Sequence, residues 1–147
     1  MRRSAATSPF YPAWVESHSG DLAAAKGALE RRSLDELGPL VERSTFKMHA
    51  CMWASQPPLR YLRAESLALL DLAERLRQEG TSVWATMDAG PHVKLLCAAA
   101  EAERIHARVC ESGHCVAAQI LRPGPGLQLS LVEEGGDEKG RGRERRG

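Results

Sequence analysis

No run of 18 apolar residues occurs in this 147-residue chain, so no segment is expected to cross a bilayer as a helix. An excess of one charge is missing too: 20 basic side chains stand against 19 acidic ones, a formal net charge of +1. That balance argues against a polybasic membrane anchor and against a dedicated nucleic-acid surface. Aromatic side chains make up only 5% of the chain, which leaves few platforms for stacking bases. Cysteine is scarce, at positions 51, 97, 110 and 115. The spacing matches neither paired CxxC zinc ligands nor a secreted disulfide framework. Cys110, His114 and Cys115 are close in sequence, but structural zinc needs four ligands and a second paired motif is missing. Reduced, partly buried thiols and no metal site are expected. Met1-Arg2-Arg3-Ser4-Ala5-Ala6 begins like a leader but lacks its apolar core, and Pro9 and Pro12 interrupt the next few residues. The expected location is cytoplasmic.

The remaining composition is that of an ordinary globular protein, 43% hydrophobic, of a length that suits one domain. Ser8 before Pro9 reads as an N-cap with proline in the first helical position. That helix is expected to run through Phe10, Tyr11 and Trp14 and to break near Ser17–Gly20. A second helix, rich in Ala and Leu, covers Asp21 to about Arg32. Ser33-Leu34-Asp35-Glu36 is a capping box, and Leu34, Leu37, Val41, Met48 and Met52 continue from it at three-four spacing. This helix should reach about Ala54 and stop before Pro57-Pro58. Another spans Ala64 to Glu79, with Leu69, Leu72, Ala73 and Leu76 on one face and Gly80 as its stop. Two strands, Ser82–Met87 and Val93–Leu96, surround a turn. A helix from Ala98 to Ser112 is expected to bury Ala98, Ala102, Ile105 and Val109 and to end at Gly113. Cys115–Leu121 and Leu127–Val132 read as strands about the Pro123–Gly126 turn. Together these elements predict an α+β fold, a four-stranded antiparallel sheet backed by helices over residues 1–132. Residues 133–147 contain no apolar side chain and are expected to form a disordered, charged tail.

The turn between the central strands carries the chemistry. Asp88 ends an apolar run, and Gly90-Pro91 then bends the chain. Gly90 permits close backbone approach, and Pro91 pushes it away from helical angles. The combination presents a carboxylate on a stiff mount, as a general base requires. The plainer reading is a turn-forming Asp. His92 either donates to a substrate or braces the turn. Lys94, on the departing strand, either meets phosphate or is simply solvated.

The Asp-Ala-Gly-Pro turn after Ala-Thr-Met resembles the C-terminal half of diphosphomevalonate decarboxylase, an enzyme of the GHMP kinase superfamily. Three more segments resemble that family in the same order: Thr7-Ser8-Pro9-Phe10-Tyr11 with Trp14, Lys47-Met48-His49-Ala50, and Pro57-Pro58-Leu59-Arg60-Tyr61-Leu62. The likeness extends from Met1 to about Leu131. It implies a ferredoxin-like, two-layer C-terminal domain with extra helices. It also assigns Asp88 as catalytic base facing the tertiary 3-hydroxyl of mevalonate 5-diphosphate. Gly90 and His92 become substrate-binding groups, with His92 standing where the family usually carries Asn; both donate hydrogen bonds. His49 becomes either a satisfied histidine locking its helix to the sheet or a support that orients the Asp88 turn. ATP and Mg²⁺ are the implied cofactors of the complete enzyme, and isopentenyl diphosphate is the product.

The family's N-terminal lobe bears a Gly/Ser-rich phosphate loop and the Arg, Lys and Tyr groups near carboxylate and diphosphate. This sequence has no such loop, and Met1-Arg2-Arg3 aligns with the interior of the family sequence. The chain therefore reads as a C-terminal lobe, truncated or begun at an internal start codon, and inactive by itself. Its implied partners are the N-terminal lobe, the substrate and, as is common in the family, a second copy. Two alternatives stay open on the sequence: a lobe of a related mevalonate 3-kinase or phosphomevalonate decarboxylase, and a non-catalytic ferredoxin-like interaction module. A nucleic-acid-binding module is a distant third.

Overall fold

The computed structural model describes residues 2–124. Five α-helices and one antiparallel hairpin run in the order α1 (Arg2–Thr7), α2 (Tyr11–Glu30), α3 (Leu34–Trp53), α4 (Ala64–Gln78), β1 (Val83–Met87), β2 (Val93–Cys97) and α5 (Ala102–Glu111). The fold is α+β, as expected. Of the four strands expected, two form among the described residues. Among the described residues, Cys115–Leu121 pairs with no strand. It lies against α5 instead, where His106 Nε2 donates to the Ala118 carbonyl at 3.2 Å and Cys115 and Ala118 pack on the core. Leu127–Val132 and the charged tail lie outside the described residues.

The hairpin register pairs Val83 with Cys97, Ala85 with Leu95 and Met87 with Val93. Strand side chains alternate between faces. Val83, Ala85 and Met87 are buried on one face, while Trp84 and Thr86 on the other are half-buried. Val83 joins Leu72 and Leu76 of α4 and Ile105 and Val109 of α5 in the principal core, with Leu95 and Cys97 of β2 beside them. Each such side chain contributes about 1.5–3 kcal/mol when fully buried.

Helix α3 runs along the outer edge of β1. Strand edges expose unpaired N–H and C=O groups, and α3 satisfies two of them. The Glu42 carboxylate accepts the Ala85 N–H at 3.2 Å, and Thr45 Oγ1 accepts the Met87 N–H at 3.4 Å. Gly38, one turn earlier, lies against the Trp84 indole. Arg77 of α4 closes the same corner: it donates to Glu42 (3.2 Å) and to the Val83 carbonyl (2.9 Å), and its guanidinium stacks 4.7 Å from the Trp84 ring centroid.

The helix boundaries differ from expectation in informative ways. α2 is continuous through Ser17–Gly20. Ser17 donates to the Trp14 carbonyl within the helix, and Asp21 is held by Lys47 and Arg43 of α3, so interhelical pairing overrides the local breakers. α2 begins at Tyr11, with Phe10 as its N-cap; Ser8 Oγ accepts the Phe10 N–H in the turn after α1, a short helix not expected from the sequence. Only half of the capping box forms. Ser33 Oγ accepts the Glu36 N–H at 3.2 Å, but the Glu36 carboxylate turns to Arg31. The last helix starts late, after a 3₁₀ turn at Ala99–Glu101; Ala98 is exposed, and Ala102 is half-buried. Trp53, the last residue of α3, is 46% exposed.

Candidate functional site

The hairpin turn gathers three of the four sequence-nominated site residues. Asp88 is the first residue beyond β1, and its side chain is 81% exposed. Its carboxylate forms an ion pair with Lys94 Nζ, and its backbone carbonyl accepts the Gly90 N–H at 2.8 Å. Lys94 stands opposite Thr86 in the register, so alternation puts Asp88 and Lys94 on one side of the hairpin. The expected β-rich mount is present, with both strands one residue off at one end.

Gly90 is half-buried and has no positive φ. A Cβ added there would meet only His92 Nδ1, at 3.8 Å. The turn conformation thus does not itself demand glycine; the open space above it is where a substrate could approach. His92 is exposed beside it.

His49, the fourth, is not in the turn. Successive residues of α3 meet successive residues of β1: Gly38 meets Trp84, Glu42 meets Ala85, and Thr45 meets Thr86 and Met87. A helix rises about 1.5 Å per residue and a strand about 3.3 Å. His49, one turn past Thr45, therefore falls level with the start of the Asp88 turn, in the supporting layer. It is 3% exposed, and neither ring nitrogen has a hydrogen-bond partner among the described residues. The histidine expected to lock α3 to the sheet is thus buried, with no partner for its ring among the described residues. Desolvation holds its pKa below the ordinary imidazole value.

Two anchors of the turn are not evident in the sequence. Thr45 Oγ1, besides accepting the Met87 N–H, sits 3.2 Å from Thr86 Oγ1 and donates to the Val41 carbonyl. Ser66 Oγ, near the start of α4, donates to the Pro91 carbonyl at 2.9 Å. Thr45 continues the apolar stripe of α3 at helical spacing, the only signal that could have drawn notice. Ser66 had none, because its partner lies 25 residues away.

Among the described residues, no three His, Cys, Asp or Glu side chains converge as a metal site requires. Cys51 is buried, Cys97 and Cys115 are half-buried and Cys110 is exposed, all as free thiols. No helix of the described residues is long and apolar enough to cross a membrane.

Residues 1–121 match the family model for the mevalonate 5-diphosphate decarboxylase C-terminal domain. The chain belongs to that family. Solved structures agree. Mevalonate pyrophosphate decarboxylase from Streptococcus pyogenes is 32% identical over 74% of this chain and 34% of its own, with a TM-score of 0.71. The Staphylococcus aureus enzyme is 34% identical over 74% of this chain and 33% of its own, with a TM-score of 0.72. The Enterococcus faecalis enzyme, whose ATP binding is mediated by mevalonate diphosphate, is 30% identical over 75% and 34%, with a TM-score of 0.72. No curated protein sequence matches. This decarboxylase C-terminal domain spans about a third of the length of those solved relatives.

Proposed function

We propose that this chain is the Asp88-bearing lobe of an ATP-dependent diphosphomevalonate decarboxylase, acting with an N-terminal lobe on mevalonate 5-diphosphate. The observation that carries this reading is the Asp88 turn: an exposed carboxylate on a hairpin pinned to two helices, inside a domain of the decarboxylase family.

The chemistry suits such a group. As the tertiary 3-hydroxyl oxygen attacks the γ-phosphorus of ATP, an O–P bond forms, the bond to the departing ADP oxygen breaks, and the hydroxyl proton passes to Asp88. Phosphoryl transfer has a loose transition state, so Asp88 chiefly orients the hydroxyl and accepts its proton. The carboxylate carbon then leaves as CO₂, its bonding electrons become the new double bond, and the C3–O bond breaks to release phosphate. Lys94 holds the Asp88 side chain between turnovers and supplies positive charge beside an anionic substrate.

Homologous structures bind an ATP analogue and magnesium. The described residues here do not fit a metal site, since Asp88 has no second and third ligand beside it. Nucleotide and metal contacts belong to the other lobe in this reading. The chain's balanced charge and unpaired thiols fit a cytoplasmic enzyme.

The test is a chimera in which residues 1–121 replace the corresponding domain of the S. aureus enzyme. It should release CO₂ from mevalonate 5-diphosphate and ATP. Asp88→Ala in that chimera should lower turnover by about 10²–10⁴-fold without unfolding it. Undiminished turnover would refute the assignment. The chain by itself should release none, and measurable release would also count against this reading.

A further inference from the structure

The Asp88 carboxylate pairs with Lys94 and makes no hydrogen bond to either supporting helix among the described residues; the turn that carries it is set by the backbone on either side. On entry, Thr45 of α3 fixes the Met87 N–H. On exit, the anchor is Ser66. This residue is 2% exposed, and its hydroxyl accepts the Arg63 N–H at 3.3 Å and donates to the Pro91 carbonyl at 2.9 Å. The Pro91 carbonyl lies in the peptide joining Pro91 to His92, so the bond lands between the candidate base and the candidate substrate donor. α4 is itself rooted in the core through Leu72 and Leu76.

We propose that Ser66 is a positioning residue that locks the Asp88 turn to α4. This inference rests on the functional reading of Asp88. With Ser66 in place, the turn is tied at both flanks, and its internal Gly90 N–H to Asp88 carbonyl bond closes a stiff loop. Without it, the turn is held only through Met87 and its pairing with Val93, and Asp88 and His92 lose their mutual register. Catalysis by orientation tolerates little such freedom; a misplacement of about 1 Å can cost about 10²-fold.

The test uses ¹⁵N relaxation of the chain itself. In wild type, Gly90 and His92 should show rigid-backbone order parameters, about 0.85, and in Ser66→Ala they should fall below about 0.6. Leu72, deep in α4, should stay rigid in both, which separates loss of the tether from fraying of the helix. Ser66→Thr keeps a hydroxyl and should restore rigidity. Unchanged Gly90 and His92 in Ser66→Ala, parallel loosening of Leu72, or a well-folded Ser66→Thr that stays loose would each overturn the proposal. If Ser66→Thr does not fold, the alanine comparison decides. In the active chimera, Ser66→Ala should lower kcat with KM little changed. A chimera inactive from the outset defeats the functional reading and leaves the relaxation result standing.

Discussion

Replacing Gly38 with alanine sets two known effects against each other. Gly38 is buried within α3, where glycine is a poor helix former, and alanine should gain about 0.8–1 kcal/mol from propensity. The added methyl, however, has nowhere to go. Its Cβ would fall well under 3.0 Å from Cδ1, Cγ and Nε1 of the Trp84 ring. Carbon pairs want about 3.5–4.0 Å, so ring or helix must retreat by more than an ångström. The ring is not free to move. The Arg77 guanidinium covers it at 4.7 Å, and its Nε1 donates to Ser82 Oγ at 3.3 Å. Overpacking costs about 1–3 kcal/mol. Losing the cation–π contact adds about 0.5–1 kcal/mol, and losing the hydrogen bond adds about 1 kcal/mol. Sterics win, and Gly38→Ala should destabilise by about 1.5–4 kcal/mol net.

Gly20 is the internal control. It too lies inside a helix, but nothing stands within 4 Å of its added Cβ. The same substitution there should stabilise by about 0.4–1 kcal/mol. Urea denaturation of both variants checks the opposite signs. For a chain of this size each kcal/mol moves Tm by roughly 2–4 °C. In a Trp84→Ala background the Gly38→Ala penalty should vanish, because the clashing ring is gone. A Gly38→Ala protein as stable as wild type, or an undiminished penalty without the indole, would refute the reasoning.

Glu42→Ala should cost about 2–4 kcal/mol in denaturant unfolding, because it orphans the Ala85 N–H and unpairs Arg77, whose side chain is only 24% exposed; a loss below about 1 kcal/mol would show the network to be slack. Ser33→Ala should cost about 1 kcal/mol through the lost N-cap bond to Glu36, with the same readout. His49 gives a pH signature. Its folded pKa lies below its unfolded value of about 6.5, so the unfolded chain binds the proton more readily. Its contribution is fully present above that value and is lost as pH falls from there through the lowered folded pKa. His49→Leu should flatten the stability curve in that window and leave the plateau above it level or higher; an unchanged slope would locate the pH dependence elsewhere.

Much of this fold could be read from local pattern. The Ser33 start, the Leu72–Leu76 face, the Gly80 stop at φ +88° and the strands around Asp88 each derive from residues near one another in sequence. So does the placement of Asp88, Gly90 and His92 in a single turn. The features that local pattern missed depend on distant partners. The continuity of α2 needs Lys47 and Arg43 reaching back to Asp21. The apolar run after α5 reads like a strand yet lies against a helix, through His106. Trp53 is apolar enough for a core, but its position on α3 faces outward. Thr45 and Ser66 are ordinary helix residues until the hairpin arrives beside them.

The geometry of α3 shows how the two strands found among the described residues are supported. An isolated hairpin is marginal in water. Here its outer edge is paired to a helix, with Glu42 and Thr45 taking the place of a neighbouring strand's carbonyls. Side-chain acceptors one helical turn apart, about 5.4 Å, come close to the spacing of alternate strand amides, about 6.6 Å. The mismatch is small over two contacts and grows with each further one. By His49 no strand amide remains to be met, and both ring nitrogens go unpartnered among the described residues. The chain turns at that same level, and Asp88 emerges there into solvent. The end of the helix–strand match and the start of the candidate site thus coincide.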